Sequence, residues 1–369
     1  MKTTEKNILV TGGLGFIGSH TCVELLNQGH KVIVSDNLSN SEIGVKNRIR
    51  EITGRKIKLY TGDLTKKSNV EKIFQENKID IVIHFAGFKA VGESVKKPIM
   101  YYSNNLISTI NLIEIMKKYN CKNIIFSSSA TIYGDPGVRK YTEDLGRGKT
   151  TNPYGETKSM IEQMLEDLYA SDKEWSIGIH RYLNPIGAHE SGLIGEKPNG
   201  IPNNLMPYIL KVANGELPEL NIFGNDYDTY DGTGVRDYIH VVDLAKGHVA
   251  TMNKMENEGL YIYNLGSGKG SSVLDIVNTF ERVNKVKVNY KIVERRDGDL
   301  PEYFADPQKA LNELGWKTEK TLEDMCRDSW HFIEVQKEHN KELELAKDSL
   351  KYINILRGHN NKEKSWKNY

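Results

Sequence analysis

Short runs of consecutive apolar residues alternate, through the first half of the chain, with longer stretches whose apolar side chains recur every three or four positions. The runs predict buried strands over Asn7 to Thr11, Lys31 to Val34, Lys56 to Tyr60, Ile79 to Phe85, Asn123 to Ser127 and Ser176 to Arg181. The periodic stretches predict helices over Ser19 to Gln28, Asn69 to Glu76, Pro98 to Tyr119 and Tyr154 to Tyr169. Strands alternating with helices imply βαβ units and an α/β fold built on a doubly wound parallel sheet of the Rossmann type. Beyond Tyr182 turn signals such as Asn184-Pro185, Gly224-Asn225 and Gly266-Ser267-Gly268 become frequent. Helices are expected over Leu205 to Asn214, Val242 to Lys254 and Val273 to Val283, and strands over Tyr261 to Leu265 and Val288 to Val293. The expected organisation is a first domain over residues 1–182, a smaller α/β lobe over 183–335 interleaved with it, and a charged tail over 336–369. Within the tail, Lys337 to Leu356 has the spacing of an amphipathic helix.

The first strand leads straight into Gly12-Gly13-Leu14-Gly15-Phe16-Ile17-Gly18. Glycines at 12, 15 and 18 allow a tight turn and close approach of the backbone to a pyrophosphate, whose charge the following helix N-terminus meets. Asp36 closes the second strand, where a carboxylate accepts hydrogen bonds from a ribose 2′-hydroxyl and repels a 2′-phosphate. NAD is therefore expected rather than NADP. A turn cap is the other reading of Asp36. Ala86-Gly87 and Ser129 follow further strands, so these features share the carboxyl edge of one sheet, the edge at which such sheets bind ligands.

Tyr154 and Lys158 lie four apart, one turn along one helix face, with Pro153 suited to the first turn. A lysine ammonium beside a tyrosine favours the phenolate and lowers its pKa, which suits proton abstraction from a sugar hydroxyl. Tyr169 and Lys173 have the same spacing, so spacing alone does not single out the first pair. Its position after the Ser127-Ser128-Ser129 strand end does.

Net charge is +1, which excludes nucleic acid or an anionic membrane as a bulk partner. The three cysteines, Cys22, Cys121 and Cys326, have neither metal-ligand nor disulfide spacing, and no metal is expected. With no signal-peptide pattern at Met1 and no apolar run long enough to span a bilayer, a soluble cytoplasmic protein is expected.

The glycine loop from Thr11 to His20, the stretch Ser127 to Gly134 and the Tyr154-x-x-x-Lys158 pair resemble the extended short-chain dehydrogenase/reductase superfamily. His84-Phe85-Ala86-Gly87, Ile201 to Pro207, Gly234 to Val241 and Arg295 to Pro301 resemble, more narrowly, its UDP-glucose 4-epimerase family, from about Asn7 to Ile333. The resemblance implies interconversion of UDP-glucose and UDP-galactose through a 4-keto sugar, with NAD kept bound. It implies that Tyr154, Ser129 and Lys158 carry the chemistry. It implies that Gly12, Gly15, Phe16, Ile17, Gly18, Asp36, Asn37, Asp63, Leu64, Phe85, Ala86, Gly87, Lys89, Asn104 and Tyr182 line the cofactor. Asn184, Asn204, Leu205, Phe223, Arg236, Arg296, Asp299 and Tyr303 would form the nucleotide-sugar site. Arginine forks suit a diphosphate, although surface ion pairs with Asp237 or Asp297 are the plainer reading of Arg236 and Arg296. A homodimer built on the two long helices is also implied.

Two other readings stay open. One is a related NAD-dependent 4,6-dehydratase or decarboxylase. Dehydrating relatives place an Asp-Glu pair beside the reactive hydroxyl, whereas Ser129 is followed by Ala130 and Thr131. The other is an NAD-sensing module without turnover, although such modules usually lose the tyrosine or the lysine.

Overall fold

The computed structural model describes residues 4–296 and 298–342. In chain order the strands are β1 (Asn7–Thr11), β2 (Lys31–Asp36), β3 (Lys58–Thr61), β4 (Ile81–His84), β5 (Asn123–Ser127), β6 (Lys140–Tyr141), β7 (Ser176–Tyr182), β8 (Asn184–Ile186), β9 (Leu220–Phe223), β10 (Val235–His240), β11 (Gly259–Leu265), β12 (Gly270–Ser272), β13 (Tyr290–Val293) and β14 (Glu302–Ala305). The helices are α1 (Phe16–Asn27), α2 (Val45–Thr53), α3 (Lys67–Glu76), α4 (Val91–Lys96), α5 (Pro98–Lys118), α6 (Pro153–Ser171), α7 (Leu205–Ala213), α8 (Val241–Met252), α9 (Val273–Asn284), α10 (Gln308–Leu314) and α11 (322–342).

Seven strands form one sheet in the order β11-β7-β5-β4-β1-β2-β3, and every neighbouring pair is parallel. Successive residues of these strands enter cores on opposite faces. Ile8, Val10, Val32 and Val34 pack on one side, and Leu9, Ile33, Val82 and Phe126 on the other. Ile8, Leu9 and Val10 are fully withdrawn from water, each contributing about 1.5–3 kcal/mol of burial. Strands buried on both faces need no polar alternation, which is why apolar runs announce them.

A second sheet runs β12-β10-β14-β6, with β8 beside β10, and β9 pairs β13 separately. The expected change of lobe near Tyr182 is where the chain first leaves the large sheet, but it comes back. β11 pairs along all of β7, α8 packs on α1, and β6, from the first half, pairs β14. Neither α2 nor α4 is predicted by the apolar pattern. The first buries only Val45 and Ile49, and the second is six residues long and buries Ser94. α11 runs through residue 336, where the charged tail is expected to start. Of the helix expected over Lys337 to Leu356, the described part, 337–342, belongs to α11, and 343–369 lie outside the described residues.

Candidate active site

The glycine loop needs its glycines for space. Gly12 has φ +67°, and a Cβ there would sit 3.0 Å from the Ala86 nitrogen. A Cβ on Gly18 would fall 2.3 Å from the Gly12 carbonyl oxygen, so α1 could not start so close to β1. Asp36 shapes the same corner. Its Oδ2 accepts from Leu14 N at 3.0 Å, and its Oδ1 accepts from Leu38 N at 2.9 Å and Ser41 Oγ at 2.7 Å. These bonds match the turn-cap reading of Asp36, whose carboxylate ends β2 beside the glycine loop. Asn37 is exposed and caps Ser39 N at 3.0 Å. Asp63 accepts from Thr65 N at 2.9 Å, and Leu64 is buried with its carbonyl bonded to Asn111.

At the end of β4, Thr11 Oγ1 joins the His84 ring at 2.7 Å and accepts from Ala86 N at 3.3 Å. Burial pulls His84 down to about 3, so its imidazole is neutral. Asn104 donates to Asn105 Oδ1 at 3.0 Å. The buried Asn105 also accepts from Phe88 N and donates to Thr157 at 3.0 Å, tying the loop after β4 to α6. Lys89 lies 6.0 Å from the Phe16 ring centre and pairs with Glu196 at 3.0 Å. From the same segment, Lys197 reaches Glu42 at 3.1 Å and Asn199 donates to the Ser39 carbonyl at 3.1 Å.

α6 is started by Asn152, whose side chain accepts from Gly155 N at 2.9 Å, with Pro153 in the first turn. The helix turns Tyr154 and Lys158 toward the end of β5. Lys158 is buried, donates to the Ser127 carbonyl at 2.6 Å, and has its ammonium 5.9 Å from the Tyr154 ring centre. Ser129 lies just past β5 and caps a single 3₁₀ turn, Ala130–Tyr133. Its Oγ accepts from Thr131 Oγ1 at 3.0 Å. Tyr182 meets Ser127 Oγ through its hydroxyl.

One expectation is corrected here. Tyr154 is not lowered by its lysine. Burial pushes the half-buried phenol up, and a hydrogen bond from Ser129 pulls it partly back. The Lys158 ammonium is spent on a carbonyl, and burial pulls it down to about 8. The pair with equal spacing differs in its surroundings. Lys173 is exposed and sits 4.0 Å above the Tyr169 ring, an ordinary surface cation–π contact.

In the second lobe Arg236 pairs with Asp299 rather than Asp237. Asp237 is fully buried and is taken up by Ser267, Gly268 N and Ala305 N. The Arg236 guanidinium lies 4.4 Å from the Tyr303 ring centre, and that ring stacks on Tyr141 at 5.5 Å and 6°. Tyr303 also packs on the apolar cluster of Ala130, Ile132 and Tyr133, in the turn that follows Ser129. Arg296 covers Phe223 at 3.9 Å. Asn184 donates to the Asp237 carbonyl at 3.1 Å. Asn204 precedes Leu205 at the start of α7, exposed and with its side chain free of capping duty. The structure thus joins Arg236, Asp299 and Tyr303 in one contact set and Arg296 with Phe223 in another.

Thr11, Asn105, Tyr141, Glu162, Arg181 and Glu196 escape the reading of the sequence. The one available signal was a polar residue inside an apolar helical face, as at Asn105 and Glu162.

A glycine loop after β1, an acid after β2 and a Tyr-x-x-x-Lys helix facing a strand-end serine define an extended short-chain dehydrogenase/reductase. The GDP-mannose 4,6 dehydratase family model matches residues 9–329. The UDP-glucose 4-epimerase of Bacillus subtilis (strain 168) is 58% identical over 326 residues, which are 88% of this chain and 96% of that one. The fold superposes on the UDP-glucose 4-epimerase of Bifidobacterium longum, crystallised with NAD+ and UDP, with a TM-score of 0.86. Identity is 54%, and the match covers 88% of this chain and 97% of that one. It also matches the Stenotrophomonas maltophila enzyme with bound NAD and formylated UDP-arabinopyranose. There the TM-score is 0.87 and identity 46%, covering 91% of this chain and 100% of that one. The chain belongs to the UDP-glucose 4-epimerase family.

Proposed function

We propose that the protein interconverts UDP-glucose and UDP-galactose by oxidising and re-reducing the sugar at C4, and that NAD stays on it throughout. The observation that carries this reading is the meeting of Tyr154, Lys158 and Ser129 at the strand edge that also bears the glycine loop and Asp36. The residues suit the cofactor. The tight turn and the start of α1 close to β1 are possible only because Cβ atoms are missing at Gly12 and Gly18, which suits a pyrophosphate at the α1 N-terminus, and the Asp36 carboxylate disfavours a 2′-phosphate. Gly12, Gly15, Phe16, Ile17, Gly18, Asp36, Asn37, Asp63, Leu64, Phe85, Ala86, Gly87, Lys89, Asn104, Ser129, Tyr154, Lys158 and Tyr182 would hold it. When bound, NAD supplies the hydride acceptor, and then the hydride donor, for sugar C4.

Tyr154 Oη takes the proton of the 4-hydroxyl and later returns it. Ser129 Oγ hydrogen-bonds the same oxygen and relays the proton. Lys158 would hold the nicotinamide ribose and, with its ammonium released from the Ser127 carbonyl, favour the phenolate. Arg236 and Arg296 grip the diphosphate, with Asn184, Asn204, Leu205, Phe223 and Asp299 completing the nucleotide site, while the 4-keto sugar turns over. Ala130 and Thr131 offer no acid–base pair for dehydration. Among the described residues no helix is long and apolar enough to cross a membrane. The three buried, unpaired cysteines suit a cytoplasmic enzyme. Homodimerisation through the long helices α5 and α6 is supported by Ile99, Ile110 and Met160, exposed on these two mutually packed helices.

The test is incubation of the purified protein with UDP-galactose and no added nucleotide. UDP-glucose is expected. Absence of conversion, or build-up of a 4-keto-6-deoxy sugar, would overturn the reading.

A further inference from the structure

Tyr154, Lys158 and Glu162 stand at successive four-residue steps on α6, so the face bearing the acid–base pair continues for one more turn to a carboxylate. Glu162 is fully buried, and so is Arg181 of β7 facing it. Arg181 Nη2 lies 2.7 Å from Glu162 Oε2, and its Nε lies 3.2 Å from both carboxylate oxygens. The remaining arm of Arg181 donates to Tyr133 Oη at 3.1 Å, at the far end of the Ser129 turn. Ser128 Oγ donates to Glu162 Oε1, while Lys158 Nζ holds the carbonyl of Ser127. Two successive residues at the end of β5 are thus held from one helix face, and Ser129 is the next.

We propose that Glu162 is a positioning residue for the reaction: its carboxylate, clamped by Arg181, fixes the Ser127–Ser129 strand end one helical turn from Lys158. This rests on the reading of Tyr154, Ser129 and Lys158 given above. A buried pair that merely joined α6 to β7 would hold the fold equally well, so the test needs a readout that packing does not move.

Burial pulls Lys158 down to about 8, and Glu162 pushes it the other way. His84 on β4 and Tyr154 on α6 face Lys158, Arg181 on β7 with Tyr133 beside it faces the carboxylate, and Tyr101 on α5 and Tyr182 on β7 face Tyr154. His84 stays neutral at working pH, Tyr101 and Tyr182 are pushed up and keep their protons, and Arg181 keeps its charge.

The experiment is the pH profile of kcat for the holoenzyme, wild type beside Glu162→Gln and Glu162→Asp. Removing the carboxylate makes Lys158 lose its proton more readily, so in Glu162→Gln the alkaline limb should move down by about one pH unit. Glu162→Asp keeps the charge but shortens the reach to Ser128. Its limb should stay in place while kcat falls about tenfold and KM for UDP-galactose holds. A Glu162→Gln limb that coincides with wild type, with only thermal stability reduced, overturns the proposal. If Glu162→Gln does not fold, Ser128→Ala decides, since it removes the tether alone. A kcat about tenfold lower at unchanged Tm supports the role, and an unchanged kcat overturns it. A wild-type protein inert toward UDP-galactose overturns the site reading and this proposal together, whereas an active wild type with an immobile limb overturns the proposal alone.

Discussion

Tyr303 should decide which sugars fit. The 4-keto intermediate has to rotate inside the pocket, and an N-acetyl group at C2 sweeps space that a tyrosine ring would fill. The ring is braced by Tyr141, stacked at 5.5 Å, and by the Arg236 guanidinium at 4.4 Å. Moving it aside gives up a stack worth about 0.5–1.5 kcal/mol and a cation–π contact worth about 0.5–1 kcal/mol. Forcing the surrounding packing open costs about 1–3 kcal/mol more. A barrier increase of about 2–5.5 kcal/mol corresponds to a factor of about 30 to 10⁴ in kcat/KM. The wild type is therefore expected to turn over UDP-glucose and UDP-galactose and to handle UDP-N-acetylglucosamine poorly. Tyr303→Ser or Tyr303→Cys should raise the N-acetyl to plain-sugar kcat/KM ratio by that factor while keeping part of the original activity. Initial rates on both substrate pairs, for wild type and variant, provide the check. A wild type that handles both pairs at comparable kcat/KM, or a variant with an unchanged ratio, refutes the steric reasoning.

Tyr154→Phe should lower turnover by about 10²–10⁴ without unfolding the protein. Tyr169→Phe should be nearly silent, and near-normal activity in the first variant would remove Tyr154 from its role. Protein purified without added nucleotide should release NAD or NADH on denaturation, identified by chromatography, and NADP in its place would contradict the part assigned to Asp36. Stability should fall as pH drops below about 6.5. The buried rings of His20 and His84 are held down to about 3, and that of His248 to about 4. The unfolded chain takes up these protons first, so each ring costs about 1.4 kcal/mol per pH unit between its unfolded and folded values. A Tm that stays flat from pH 7 to pH 5 would count against this.

The sequence made the parallel sheet and the carboxyl-edge residues legible because both follow from local demands. Fully buried strands require apolar runs, and a backbone turn as tight as the one at Gly12 and Gly18 requires glycine. Contacts between distant segments carry no such mark. Nothing near Tyr141 indicates that it will stack on Tyr303, and nothing near Arg181 that it will clamp Glu162. The direction of the Tyr154 shift was unreadable for a related reason. Spacing gives the distance between the tyrosine and the lysine, but burial, which dominates here, is a property of the whole fold. In α2 a strip of Val45 and Ile49 among charged residues is too thin to register as a helix face.

The parallel ladder between β7 and β11 also bears on how the molecule is made. A growing chain that has emerged only as far as Ile186 holds six of the seven strands, with the outer edge of β7 bare. Bare edges recruit other strands, so a nascent chain paused there, or a fragment cut there, should aggregate rather than fold as a working half. Completion of the first sheet waits for Leu265, about 80 residues later, which at ordinary synthesis speeds is roughly 4–16 seconds of exposure. Expression yield should therefore respond to translation rate and chaperone supply more than the stability of the finished enzyme would suggest.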